Sequence, residues 1–114
     1  MSAEKGVKLD TGKPRMDLVL GGFSKALLEV GRVGTFGADK YSDNGWQYVD
    51  NGIERYLSAM IRHYLNYKTG ELTDKESGLS HLSHMAWNAL AVLQLDMEPD
   101  KVNITPGGII EFIK

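Results

Sequence analysis

Residues 70–84, GELTDKESGLSHLSH, concentrate groups that hold protons and metal ions. Three carboxylates, Glu71, Asp74 and Glu76, precede two histidines set three apart, His81 and His84. On a helix that spacing places both side chains on one face, and ligand pairs on inward-facing helices are one way to build a metal site in a bundle. Imidazole nitrogen with carboxylate oxygen suits Mn²⁺, Fe²⁺, Co²⁺ or Zn²⁺, whereas carboxylates alone suit Mg²⁺. The third histidine, His63, lies upstream beside Arg62, and Arg55 shares the Arg62 face at a separation of seven. Guanidinium forks in that position suit phosphate oxygens. Tyr41, Trp46 and Tyr48, in a loop rich in glycine and asparagine, offer flat surfaces on which a base can stack. A plainer reading stands beside each of these: a solvated acidic loop, packed histidines, surface arginines paired along a helix, and aromatic rings covering the core. Ser77, Ser80 and Ser83 read as caps and helix surface, since no G-x-S-x-G nucleophile elbow is present. The G-x-x-x-x-G-K-[ST] phosphate loop is absent too.

These groups must be positioned by helices. Residues 24–41 carry apolar side chains at 26, 27, 30 and 33, with Ser24 as the expected cap and Gly31, Gly34 and Gly37 weakening the pattern. Residues 42–52 hold two Asn-Gly turn signals. The segment 53–69 reads as a strong helix, capped by Asp50 or Asn51 and closed by Gly70. The segment 78–97 reads as a second, capped by Ser77 or Asp74, with Pro99 beyond its end. On it His81, His84 and Asn88 fall within roughly 60° of one another. They form a polar row beside an expected core stripe of Leu79, Leu82, Ala86, Ala89, Leu90 and Leu93. The short connection predicts an antiparallel hairpin, with His63 level with His81 and His84. The expected fold is all-α: this hairpin plus a weaker N-terminal helix, spanning 18–98, behind a polar arm over 1–17 and before a tail over 99–114. The second helix is apolar on more than one face, which predicts a homo-dimer or homo-tetramer built on the 53–69 and 78–97 helices. Arg55, Tyr56 and Trp87 are expected to border the subunit contact.

Composition narrows the classes of function. At 114 residues the chain suits one small domain, and a net charge of -2 argues against duplex nucleic acid as the main partner. Cysteine is absent, which removes disulfides and thiolate metal sites from consideration. The N-terminal stretch lacks the apolar region of a signal peptide, and no apolar run reaches the roughly 20 residues of a membrane span. The expectation is a soluble cytoplasmic protein.

Several stretches together resemble a known family. GKPRMDLV at 12–19, FGADKYSDNGWQY at 36–48, and the run from Arg55 to Leu95 resemble the phage-encoded dATP/dGTP diphosphohydrolase N-terminal domain family. The likeness covers about residues 10–97, with Phe36 where the pattern has tyrosine. It carries over Lys13, Arg15, Lys40, Tyr41, Asn44, Trp46, Arg62, His63, Glu71, Asp74, Glu76, Ser77, His81, His84 and Asn88. The family is similar to the all-α nucleoside triphosphate pyrophosphohydrolases related to MazG, which cut between the α and β phosphates with divalent ions. Those hold their ions with Glu-x-x-Glu and Glu-x-x-Asp, and His81-x-x-His84 stands here in place of the second motif.

The resemblance implies a purine dNTP pyrophosphohydrolase serving a phage nucleotide pool in the host cytoplasm, dependent on Mg²⁺, Mn²⁺ or Co²⁺. His63, Glu76, His81 and His84 are the expected metal ligands, and Glu71 or Asp74 the general base. Lys13, Arg15, Lys40, Arg55 and Arg62 would meet the phosphates; Tyr41, Asn44, Trp46 and Asn88 would meet the rest of the purine nucleotide. The alternative is a binding protein that sequesters a nucleotide without turnover.

Overall fold

The computed structural model describes residues 5–98, so the expected tail at 99–114 and the first four residues of the arm lie outside the described residues. Four α-helices follow in order: α1 (Asp17–Leu20), α2 (Ser24–Lys40), α3 (Gly52–Lys68) and α4 (His81–Met97). A short 3-10 helix, Gly45–Tyr48, lies between α2 and α3. Among the described residues there is no strand beyond one antiparallel bridge, Thr73 with Ser80. No helix among them is long and apolar enough to cross a membrane.

Local chemistry explains most boundaries. Asn44 and Asn51 both adopt left-handed backbone, at φ 57° and 55°, a conformation that asparagine tolerates better than other side chains. Each Asn-Gly pair therefore turns the chain, first into the 3-10 helix and then into α3. Gly70, at φ 100°, closes α3, and the Glu71 N–H reaches back to the Asn66 carbonyl at 3.1 Å. Three expected caps differ. Ser24 is the first residue of α2 rather than its cap, a place taken by Phe23. Asn51 stands at the cap position of α3 without a side-chain bond. The second long helix starts at His81, three residues later than 78, with Ser80 Oγ accepting from the Ser83 N–H. The delay has a cause: the Asp74 N–H bonds the Leu79 carbonyl and the His81 N–H bonds the Leu72 carbonyl, so 78–80 stay outside the helix, with Gly78 at φ 74°. Asp74 and Ser77, expected as caps, instead build the turn that the Thr73–Ser80 bridge closes.

α4 packs against both α3 and α2. Gly52, at the head of α3, lies against Leu95, near the end of α4; His63, near the end of α3, meets His81 at the head of α4. The face of α4 turned inward is not the expected apolar stripe. His81, Ser83, His84, Asn88, Ala91 and Leu95 are buried, whereas Leu82, Leu90 and Leu93 are about half exposed, at 50%, 51% and 56%. The polar row can be buried because every member finds a hydrogen bond inside the chain: no buried side-chain nitrogen or oxygen among the described residues lacks a partner. Val33 is the buried residue of α2. Tyr56 and Trp87, expected at a subunit contact, pack on each other and on Trp46 within the chain, with ring centroids 5.6–6.4 Å apart.

Leu95 is 1% exposed and is one of three buried apolar residues among the described residues. Leu95→Ala is expected to lower unfolding free energy by about 2–5 kcal/mol, the range for emptying a packed aliphatic site. Denaturant titration at fixed protein concentration measures it.

Candidate functional site

The end of α3, the turn 69–80 and the head of α4 bring the three histidines together. His63 Nδ1 and His81 Nδ1 are 2.8 Å apart. The far nitrogen of His81, Nε2, is 2.7 Å from Glu71 Oε1. A carboxylate accepts only, so Nε2 of His81 carries the proton and Nδ1 keeps its lone pair, directed at His63. The His63 and His84 rings stack at 4.4 Å with 7° between their planes. His84 Nε2 shares a 2.7 Å hydrogen bond with Ser77 Oγ and lies 3.9 Å from Asp74 Oδ2. The Ser77 N–H donates to the same carboxylate oxygen at 2.8 Å. Asn88 donates to the His84 carbonyl at 2.8 Å, one turn back along α4.

Burial first, and then the neighbouring His84 ring, push His63 down to about 4 against the pull of Asp74. Burial lowers His84 as well. Burial alone would raise Asp74, but the N–H and hydroxyl of Ser77 together hold its carboxyl below the usual value. At neutral pH His63 and His84 are therefore uncharged and Asp74 is a carboxylate, each with lone pairs to offer.

His63, Asp74 and His81 offer donor atoms that all lie within 4.8 Å of one another. Two nitrogens each about 2.0–2.1 Å from one ion and at right angles around it sit about 3 Å apart, close to the observed Nδ1 pair. The donors thus fit a divalent ion, and three protein ligands leave coordination positions for water or substrate, as catalytic sites require. His84 and Glu76, expected as ligands, stand outside this set. The Nε2 of His84 is engaged by Ser77, and Glu76 pairs with Lys40 at the end of α2. Glu71, expected as a base, is held by His81 and lies 3.7 Å from Lys75.

His63 and Asp74 also line an open cleft of about 1060 Å³ between α2, the 41–50 loop and α3. Lys40, Tyr41, Asn44, Trp46, Arg55, Arg62, Glu76, His84 and Asn88 line the same cleft. Arg62 donates to Ser58 Oγ at 2.9 Å, and Arg55 reaches the Asp50 carbonyl at 3.4 Å, so both guanidinium groups keep donors to spare. Tyr41 is 76% exposed, with Lys40 Nζ 5.1 Å from its ring centre. Trp46 is packed edge-on against Tyr56 and Trp87, and the Tyr56 hydroxyl donates to the Trp46 carbonyl at 2.8 Å. That packing pushes the Tyr56 phenol up to about 12, chiefly by burial. Lys13 and Arg15 are elsewhere: they border a small hollow with Asp10 and Asp17, and Arg15 is paired with Asp17 at 2.6 Å.

Sequence reasoning missed Tyr56 and Trp87 as cleft wall and the Ser77–His84 bond. It also took the glycines of α2 as mere weakness. Gly31, Gly34 and Gly37 all line the cleft, and a Cβ on Gly34 would sit 3.5 Å from the Trp87 indole nitrogen. Their spacing of three was the available signal, because on a helix it bares one face.

The family model described as dATP/dGTP diphosphohydrolase, N-terminal, matches residues 3–104. The chain belongs to this family. A dATP/dGTP diphosphohydrolase of Salmonella phage PMBT28 is 36% identical over 90 residues, covering 79% of this chain and 29% of the phage protein. The chain thus spans less than a third of the length of that relative. No solved structure matches it. The diphosphohydrolase family assignment agrees with the resemblance read from the motifs.

The depressed His63 sets a pH window. The unfolded chain binds that proton near 6.5 and the folded chain only near 4, so acid favours unfolding between them. Stability contributed by the neutral ring is complete above about 6.5 and is lost as pH falls toward 4. The melting temperature is expected to drop across that interval, and His63→Gln is expected to flatten the drop, with His84 supplying the remainder. Thermal melts of both proteins in a pH series check it.

Proposed function

We propose that the chain supplies the nucleotide-handling site of a metal-dependent pyrophosphohydrolase acting on purine deoxynucleoside triphosphates, releasing the monophosphate and pyrophosphate. The activity for which the phage relative is named supports the substrate class, and the host cytoplasm is the matching compartment. The observation that carries the reading is that His63 and Asp74, two of the three clustered donors, line the same cleft as Lys40, Arg55 and Arg62. A triphosphate needs metal donors and cations side by side.

In this reading His63, His81 and Asp74 hold the ion, which when bound polarises a phosphoryl oxygen and lowers the pKa of water. Arg55 and Arg62 neutralise the phosphates, with Lys40 exchanging its bond to Glu76 for one to substrate. Water attacks the α phosphorus, the α–β bridging P–O bond breaks, pyrophosphate leaves with that oxygen, and the protons shed by the water pass to solvent. Asp74, held at low pKa, acts as a ligand rather than a base, and Glu71 holds His81 in place. Tyr41 and Asn44, exposed at the cleft, meet the base.

We also assign the unit 18–98 to one domain and the α3–α4 pair to an antiparallel hairpin doubled by a second copy. The half-exposed Leu82, Leu90 and Leu93 of α4 and Ile61 and Leu65 of α3 support an interface there. Sedimentation at micromolar concentration is expected to give a dimer or tetramer; a monomer that still binds nucleotide would remove the shared assembly.

Nucleoside triphosphates screened with Mg²⁺, Mn²⁺ and Co²⁺, with pyrophosphate resolved from other products, test the activity. Wild type is expected to release pyrophosphate from dATP or dGTP, and Arg62→Ala to lose about 10²–10³-fold in turnover, the scale for removing one stabiliser of transition-state charge. Stoichiometric nucleotide binding without product would favour sequestration instead.

A further inference from the structure

We infer that the His63–Asp74–His81 cluster is a selective site for a first-row transition-metal dication, excluding magnesium, and that Glu71 tunes it by holding His81 in its metal-binding tautomer. The inference rests on the proposed metal-dependent reading for its biological use, but its chemistry stands on the donor set.

Two of the three donors are imidazole nitrogens. Mg²⁺ prefers oxygen, keeps most of its water and gains little from imidazole, whereas Mn²⁺, Co²⁺ and Zn²⁺ accept nitrogen readily. The Nδ1 atoms of His63 and His81 face each other at 2.8 Å, and in the absence of an ion one must spend its lone pair on the other's proton. An ion between them replaces that single bond with two.

The second observation concerns orientation. His81 is 0% exposed and its ring is gripped from behind by Glu71 Oε1 at 2.7 Å. A carboxylate on the far nitrogen of a metal-binding histidine fixes the tautomer and makes the near nitrogen more basic. Glu71 neither lines the cleft nor belongs to the three clustered donors, and its carboxylate holds His81, so its role is positioning. His84 supports the site differently, stacking on the His63 ring while Ser77 occupies its Nε2. The chain that resembles acidic-site pyrophosphohydrolases in sequence thus presents a nitrogen-rich site where carboxylate pairs are expected.

The test uses the whole chain and metal alone, without nucleotide. Cobalt is titrated by calorimetry and by its visible absorption, and competition is then run with Mg²⁺ and Mn²⁺. One cobalt per chain is expected, at least about tenfold tighter than manganese, following the general order of divalent affinities, and undisturbed by a hundredfold excess of Mg²⁺. His81→Ala is expected to abolish the cobalt spectrum. Glu71→Ala is expected to weaken cobalt binding about 10–100-fold, with Glu71→Gln, which still accepts the His81 proton, intermediate. Circular dichroism separates these losses from unfolding, and Asp74→Asn, which replaces the carboxylate donor by a neutral amide oxygen, gives a second weakened variant should His81→Ala fail to fold. Displacement of cobalt by Mg²⁺ overturns the selectivity, and undiminished binding in folded Glu71→Ala overturns the positioning role. Tight cobalt binding with no pyrophosphate release would uphold this site while removing the hydrolase reading.

Discussion

His81 is wholly buried at the head of α4, and a buried imidazole with an unmet nitrogen costs about 1–3 kcal/mol. Both of its nitrogens are met, one by Glu71 from the turn and one by His63 from α3. That pair of bonds ties three elements at one point. It fixes the rotation of α4, because His81 can face inward only if His84, Asn88, Ala91 and Leu95 follow on the same side. It also fixes the turn 69–80, because Glu71 must lie behind the ring while Asp74 reaches the other side.

The remaining architecture accommodates that choice. With the polar row of α4 turned in, the buried aliphatic residues among those described are Val33, Ala91 and Leu95, the last against Gly52. At the cleft, Trp46, Tyr56 and Trp87 form the wall, in edge-on contacts that favour rigid placement over open stacking surfaces. The glycines of α2 bring that helix close to Trp87 and leave room beside it. Cations from α2 and α3 then border a space that His63 and Asp74 also line.

Much of this was legible in the chain. The 3.6-residue pattern located α2, α3 and α4 to within a few residues, and the Asn-Gly pairs marked the turns before the 3-10 helix and before α3. The convergence of His63 with His81 and His84 followed from helix spacing and a short connection. The start of α4 was not legible, because the Thr73–Ser80 bridge depends on backbone partners that periodicity does not encode. Nor was the division of labour among the carboxylates: Glu71, Asp74 and Glu76 are chemically near-equivalent in sequence, and one meets His81, one Ser77 and one Lys40.

Sequence alone therefore determined the helical class, the family and the convergence of the three histidines, since these rest on local periodicity and on motifs that are properties of the chain. Tertiary structure alone decided which face of α4 is buried, which histidine nitrogen is available and which carboxylate stands among the donors. Those are questions of partnership: a polar group is buried where its hydrogen bonds are met, and the partners of His81 lie 18 residues away on α3 and 10 residues away in the turn.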